Sequence, residues 1–272
     1  MPRRVLTALA LAAVGLPAII YGGIFYFLLM GIFLMGGAWE YVRLYRAVQL
    51  EPDEVVTIGG VLVTATARFF FADFAPVMLA LFVLIAMTVH VIAYERGRDQ
   101  AGIDFTVTVG GIVYLGWLGS YLLDLRNLPD GVWWFMLILP LVWAGDTGAY
   151  SIGAVYGKHK MSPRLSPKKS WEGYFAGIVT AMYVGALFSY AFSSLGPRPL
   201  HGLIDPMKGA FLGLVISALT PIGDLGESMF KRQGGLKDSS NIFPGHGGFL
   251  DRIDSWIWGA AIGYFIIRYF IF

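Results

Sequence analysis

Nine stretches of this 272-residue chain are almost wholly apolar: 4–20, 21–38, 55–72, 74–94, 103–123, 131–149, 172–194, 207–226 and 255–272. Each is close to the roughly 20 residues that a membrane span needs, and this repetition constrains the fold more than any other feature. Unpaired backbone groups are costly in hydrocarbon, so spanning segments are helices unless they close into a barrel. The alternation expected of a barrel is absent. The expected fold class is therefore all-α, a polytopic integral membrane protein of about nine transmembrane helices. With 14% charged residues and a mean hydropathy of +0.65, most of the apolar surface is expected to face lipid. No cysteine occurs, which excludes disulfides, thiolate metal sites and a cysteine nucleophile.

The N-terminal "MPRRVLTALALAAVGLPAII" has the basic start, apolar stretch and Ala-Leu-Ala that a cleaved signal peptide would show. The apolar character runs on through "YGGIFYFLLMGIFLMGG", however, which fits two uncleaved spans hinged near Gly15 and Pro17. Orientation follows from the Lys and Arg residues. With the N-terminus inside, fifteen of the twenty fall in cytoplasmic regions; Arg68, Arg126, Arg198, Lys208 and Arg268 fall outside or at outer helix ends. That bias predicts an N-in, C-out topology. The mixed stretch "WEYVRLYRAVQLEPDE" reads equally as a helix along the inner interface or as a solvated helical extension. No internal repeat is evident, which weakens a transporter built from inverted halves. The division expected is residues 1–130 as N-terminal membrane helices and 131–272 as the catalytic membrane region, with cytoplasmic loops 150–171 and 227–254.

Three constellations in the second half carry chemistry. In "PIGDLGESMFKR", helical spacing aligns Asp224, Glu227, Ser228 and Lys231 as one polar stripe. An intrahelical Glu227–Lys231 pair is the plainer account of part of it, but Asp224 lies deeper, and an intramembrane carboxylate is a functional residue by default. In "FPGHGGFLDRID", glycines permit a tight turn before Asp251 and Asp254, three residues apart where a helix begins. Asp224 with Asp251 offers the one or two carboxylates by which a hard cation such as Mg²⁺ is held beside substrate phosphates. Asp254 serves equally as a helix cap. His246 has no His or Cys partner nearby, so loop structure or a phosphate contact suits it better than metal ligation. In "WAGDTGAYSIGAVYGKHKMSPRLSPKKSWEG", Asp146 sits near an inner helix end. A basic loop follows, with Lys168 and Lys169 leading to Ser170 as the expected cap of the next helix. The plainer account of that loop is attraction to anionic lipid. No Walker A loop, dinucleotide-binding glycine pattern or nucleophile elbow occurs.

The segment "SMFKRQGGLKDSSNIFPGHGGFLDRID", Ser228 to Asp254, resembles the signature of the phosphatidate cytidylyltransferases, also called CDP-diacylglycerol synthases. Its fixed elements, Ser, Lys-Arg, Lys-Asp, Pro-x-His-Gly-Gly and Asp-Arg-x-Asp, are all present at the family's spacing. "GDTGAYSIGAVYGKHK" and "SPKKSWEG" are similar to the same family, whereas residues 1–130 match only in being membrane-spanning. The resemblance implies transfer of the cytidylyl group of CTP to phosphatidate at the cytoplasmic face, giving CDP-diacylglycerol and pyrophosphate. Two other readings stay open: a CTP-dependent lipid kinase of the polyprenol or dolichol type, and a non-enzymatic transporter of anionic lipid.

The residues expected to do this work are Asp224 and Asp251 as metal ligands, with Asp254 and Asp146 as further ligands or organisers. Lys231, Arg232, Lys237 and Arg252 are the phosphate contacts, joined by Ser228 and His246 from the signature; Lys168 and Lys169 grip either the triphosphate or the lipid phosphate. The cofactor expected is Mg²⁺, with a second cation an open alternative. The expected partners are CTP, phosphatidate and membrane lipids, with a homodimer admitted and no nucleic acid. The expected location is a bacterial inner membrane. Single cysteines at Ser166 and Ser239 of this cysteine-free chain should label from the same side with an impermeant thiol reagent; opposite labelling would overturn the two-loop site.

Overall fold

A computed structural model of the chain describes residues 2–195, 203–236, 238–240, 242–243 and 247–271, the side chains of 2–6, 8 and 195 excepted. The described residues are almost entirely helical, as the apolar runs predict, with one two-stranded sheet. Each predicted segment falls on a helix. Among the described residues, six helices are long and apolar enough to cross a membrane: Gly23–Arg46, Ala72–Glu95, Ala101–Asn127, Gly131–Tyr156, Trp171–Ser194 and Pro206–Gln233. That measure does not confirm the expected count of about nine, because Leu9–Tyr21 and two 17-residue helices are shorter. Two compact units form, Met1–Asp124 with Met229–Ile257, and Leu125–Ser228 with Trp258–Phe272.

The first unit begins with α1 (Pro2–Tyr21) and α2 (Gly23–Arg46). Their hinge is at Gly22 and Gly23, with φ of 68° and 56°, and not near Gly15 and Pro17. Positive φ is open to glycine at no steric cost and ends the helix there; α1 continues through Pro17. α2 also corrects the reading of "WEYVRLYR". The helix runs on to Arg46, with Glu40, Tyr41, Val42 and Leu44 all buried, so it is neither an interface helix nor a solvated extension. One stripe of α2 faces the signature segment. Phe33 meets the rings of Phe243 and Phe249, Gly36 leaves space filled by Phe249, and Tyr41 lies edge-on to Phe230. These positions recur at helical spacing, so the seam is written into α2 even though its partner lies some 200 residues later.

α3 (Glu54–Phe70) is capped by Asp53, whose carboxylate accepts from the Val56 N–H at 2.8 Å. α4 (Ala75–Glu95) has only 11% of its apolar window buried, as a lipid-facing helix should. α5 (Ala101–Gly111) continues through a π-helical stretch, Ile112–Leu118, into α6 (Tyr121–Asn127). Arg68 of α3 pairs with Asp124 and lies over the Trp117 and Tyr121 rings, 4.6 and 4.0 Å from their centroids. A charge removed from water is thereby given both a counter-ion and ring faces.

The second unit is built on α7 (Gly131–Tyr156), α8 (Trp171–Leu195) and most of α9 (Pro206–Gln233), with the last part of α10 (Leu250–Ile266). Helix occupies the start of both stretches expected to be loops. Small residues bring these helices together. A Cβ on Gly177 of α8 would stand 2.6 Å from the Gly145 carbonyl oxygen of α7, and one on Gly185 would stand 2.1 Å from that of Gly209 in α9. Between lipid-soaked helices it is close packing of this kind that drives association. Gly177→Val should therefore lower the thermal midpoint in detergent, since overpacking costs about 1–3 kcal/mol. Gly102→Ala, where nothing lies within 4 Å, should leave it unchanged or slightly raised.

Candidate active site

In the second unit, α7 ends at Tyr156 and the chain turns into an antiparallel hairpin, β1 (Lys160–Ser162) and β2 (Ser166–Ser170), before α8. The basic stretch is thus a hairpin rather than an irregular loop. Its root is fixed at both strands. The His159 N–H donates to the Glu172 carboxylate, His159 Nδ1 lies 2.5 Å from Glu172 Oε1, and the Trp171 N–H donates to the His159 carbonyl. Ser170 caps α8 as expected, its Oγ accepting from the Gly173 N–H at 3.3 Å.

This hairpin closes one side of an open cavity of about 560 Å³. Asp146 and Tyr150 of α7, Lys160, Lys168 and Lys169 of the hairpin, Tyr174 of α8 and Asp224 of α9 line it. Lys169 Nζ stands 2.5 Å from Asp224 Oδ2. Pro221, one turn before Asp224, removes one backbone donor from α9 at the cavity wall. Glu227, one turn further along α9, is only 1% exposed, and its carboxylate lies within 4.8 Å of that of Asp224. Four residues expected from sequence, Asp146, Lys168, Lys169 and Asp224, therefore share one cavity. Lys160 of the same basic stretch lines it as well, and Tyr150 was not expected.

Of the other expected residues, Lys231, Arg232, Asp251, Arg252 and Asp254 lie in the first unit, on the end of α9 and the start of α10. Lys231 Nζ is 2.7 Å from Asp251 Oδ1, with both side chains about nine-tenths buried. Asp251 Oδ2 accepts three more hydrogen bonds, from the Ser239 N–H, the Ser239 hydroxyl and the Gly248 N–H. The two glycines of the turn are explained by this carboxylate and its neighbour. Gly247 has a φ of 77°, and a Cβ on Gly248 would stand 2.0 Å from Glu40 Oε1. Burial raises the Asp251 carboxyl, but donors from Gly248, Lys231 and Ser239 overcome it and hold the group down at about 2.

Asp254 does not cap α10, which already begins at Leu250; its Oδ1 accepts from the Ser255 N–H. Arg232 is exposed at the end of α9, 3.4 Å from the Leu236 carbonyl. Arg252 has a buried Nε for which no acceptor is found among the described residues. Lys231 and Asp251 are thus brought together directly. Ser228 is half-buried on α9, and Lys237 and His246 lie outside the described residues. Sequence reasoning missed Ser239, Ser240 and Glu40. A carboxylate at position 40, between apolar and aromatic residues, was the one available signal that an ionised group needed donors.

A second, larger cleft of about 1130 Å³ in the first unit involves Arg46, Arg96 and Arg98. Arg98 is already bound to Asp104 and Glu51, and Arg46 to Glu54. That network ties the α2–α3 link to the start of α5 and offers no comparable set of lysines.

Helical spans, a lysine-lined cavity and a buried lysine–carboxylate pair together define an integral membrane protein suited to phosphate chemistry. A model described as the cytidylyltransferase family matches residues 2–270. A phosphatidate cytidylyltransferase of Pseudomonas aeruginosa is 36% identical over 260 residues, covering 94% of this chain and 92% of the relative. One from Bacillus subtilis is 30% identical over 281 residues, covering 99% and 98%. The chain belongs to the cytidylyltransferase family and is an enzyme of that type, as the signature resemblance implied.

The Asp251 geometry has a pH consequence. Its folded value is depressed, so its stabilisation is complete above the ordinary carboxylate value near 4 and is lost as pH falls towards 2. The shift corresponds to roughly 2 kcal/mol, at about 1.4 kcal/mol per unit. Between pH 4 and 2 the thermal midpoint of the native protein should fall more steeply than that of Asp251→Asn; parallel curves would contradict the assignment.

Proposed function

We propose that this protein transfers the cytidylyl group of CTP to phosphatidate, releasing pyrophosphate and forming CDP-diacylglycerol for phospholipid synthesis at the cytoplasmic face of a bacterial inner membrane. The observation that carries this reading is the built signature segment. Lys231 and Asp251 are held together in it, Arg252 offers a buried donor beside them, and relatives named phosphatidate cytidylyltransferase match 94% and 99% of the chain.

A phosphate monoester is mostly dianionic at neutral pH, so the lipid phosphate needs no strong general base to become a nucleophile. One of its oxygens attacks the α-phosphorus of CTP. The bond from that phosphorus to the bridging oxygen breaks, and its electron pair leaves with pyrophosphate. The protein's task is to bring two polyanions together and hold them in line. Lys168 and Lys169, with Lys160, supply cations in a cavity open to anionic ligand. Lys231, Arg232 and Arg252 are the proposed phosphate contacts of the signature; Arg suits bidentate ones. Ser228, Lys237 and His246 join them on the strength of the resemblance.

Asp224, Asp251 and Asp254 remain the proposed ligands of a divalent cation, Mg²⁺ in our reading, with Asp146 as an organiser. The donor set is all oxygen, which fits a hard cation, and Asp251 Oδ1 has one lone pair beyond that used by Lys231. Bound there, such a cation would screen the repulsion between phosphates and neutralise the leaving pyrophosphate. In the proposed division residues 131–272 carry this chemistry, and 1–130 are N-terminal membrane helices.

Purified protein with phosphatidate and labelled CTP should release pyrophosphate and form CDP-lipid only when a divalent cation is present, and excess chelator should abolish both. Release of CDP with a phosphorylated lipid would instead identify a lipid kinase. Robust turnover in chelator would remove the metal from the reading.

A further inference from the structure

Glu40 lies on α2, far outside the signature, and its side chain is wholly buried. Each of its oxygens lies within hydrogen-bond distance of one serine hydroxyl and one backbone N–H, the Ser239 proton being shared with Asp251. Oε1 takes Ser240 Oγ at 2.6 Å and the Phe249 N–H at 2.9 Å. Oε2 takes Ser239 Oγ at 2.8 Å and the Leu250 N–H at 2.7 Å. The last two amides before and at the start of α10 therefore find their acceptor on another helix. An anion is also what the positive end of a helix favours.

The contact leads directly to Asp251. Ser239 Oγ stands 2.8 Å from Glu40 Oε2 and 2.6 Å from Asp251 Oδ2, so the single proton of one hydroxyl is shared between the two carboxylates. Gly248 meets both as well. Its N–H donates to Asp251, and its lack of a side chain leaves room for Glu40 Oε1. We infer that Glu40 is a positioning residue for the reaction: through Ser239 and the first amides of α10 it fixes the Asp251 carboxylate, and with it Lys231, in the working geometry. Glu40 touches neither reacting group. It sets the register between the N-terminal helices and the signature.

A glutamine cannot replace it. The amide retains one oxygen, and its NH₂ then faces a backbone N–H whichever way it is turned, because a backbone amide cannot accept. The inference rests on reading the signature as the catalytic segment, so the test includes a readout that needs no substrate. Hydrogen exchange at Phe249 and Leu250 in full-length protein should accelerate in Glu40→Gln while Trp256 stays as in the native protein. kcat for CDP-lipid formation should fall about 10- to 100-fold, the range for losing a group that orients a ligand, with KM for CTP changing far less. Glu40→Asp retains the charge, and a partial recovery of kcat over Glu40→Gln is expected. If Glu40→Gln does not yield monodisperse protein, Glu40→Asp against native decides: its shortened carboxylate should lower kcat and accelerate exchange at the same two amides. Glu54→Gln, at an exposed ion pair, should match native in both readouts. Native kcat together with native exchange at Phe249 and Leu250 would overturn the inference. Accelerated exchange in a protein that makes no CDP-lipid even as native would leave the Glu40 anchor standing and reject the reaction instead.

Discussion

A carboxylate withdrawn from water has to be given donors, and two such carboxylates, Glu40 and Asp251, organise the signature segment of this protein. Between them they account for the Ser239 hydroxyl and N–H, the Ser240 hydroxyl, the N–H groups of Gly248, Phe249 and Leu250, and the Lys231 ammonium. A half-satisfied network of this kind would be worse than an apolar core, because each unanswered buried donor carries its full desolvation cost. Held by these donors, the turn has little freedom. The paired glycines follow from it: one adopts a positive φ, and the other admits a carboxylate where a methyl group would stand.

The second unit solves a different problem. Its helices have no hydrophobic drive to associate within lipid, so they meet through glycine and small side chains at α7, α8 and α9. That close approach sets the width of the lysine-lined cavity. The hairpin above it is short, yet the His159–Glu172 contact and the Ser170 cap tie it to the first turn of α8. Cationic side chains are thereby held at a fixed place on an otherwise apolar framework. An exposed basic loop would instead leave them as a diffuse attraction for anionic lipid.

Much of the candidate site was legible in the sequence because its residues are dense and close together there. Lys231, Asp251 and the glycines fall within one segment, and the helical spacing of α9 put Asp224 and Glu227 on neighbouring turns. Lys169 and Asp224 lie 55 positions apart, and their contact needed the helices to be placed. Glu40 was illegible for a stronger reason. It has no motif around it, and its partners come about 200 residues later. The stretch that holds it reads by composition as an amphipathic surface helix, since periodicity reveals that a face is covered but not by what.

The sequence by itself determined that this chain is helical and lives in a membrane, because runs of about twenty apolar residues have no other low-energy home. It also implied the chemistry, because the long spaced signature from Ser228 to Asp254 resembles that of the phosphatidate cytidylyltransferases. Only the tertiary structure decided where helices bend and which of them meet: at Gly22 and Gly23 rather than Pro17, through small residues in one unit and through a buried glutamate in the other. The physical reason is range. Backbone preference and hydropathy act over a few residues and are visible along the chain. The pairing of a buried charge is settled by whichever donors the fold brings within 3 Å, and those are distant in sequence.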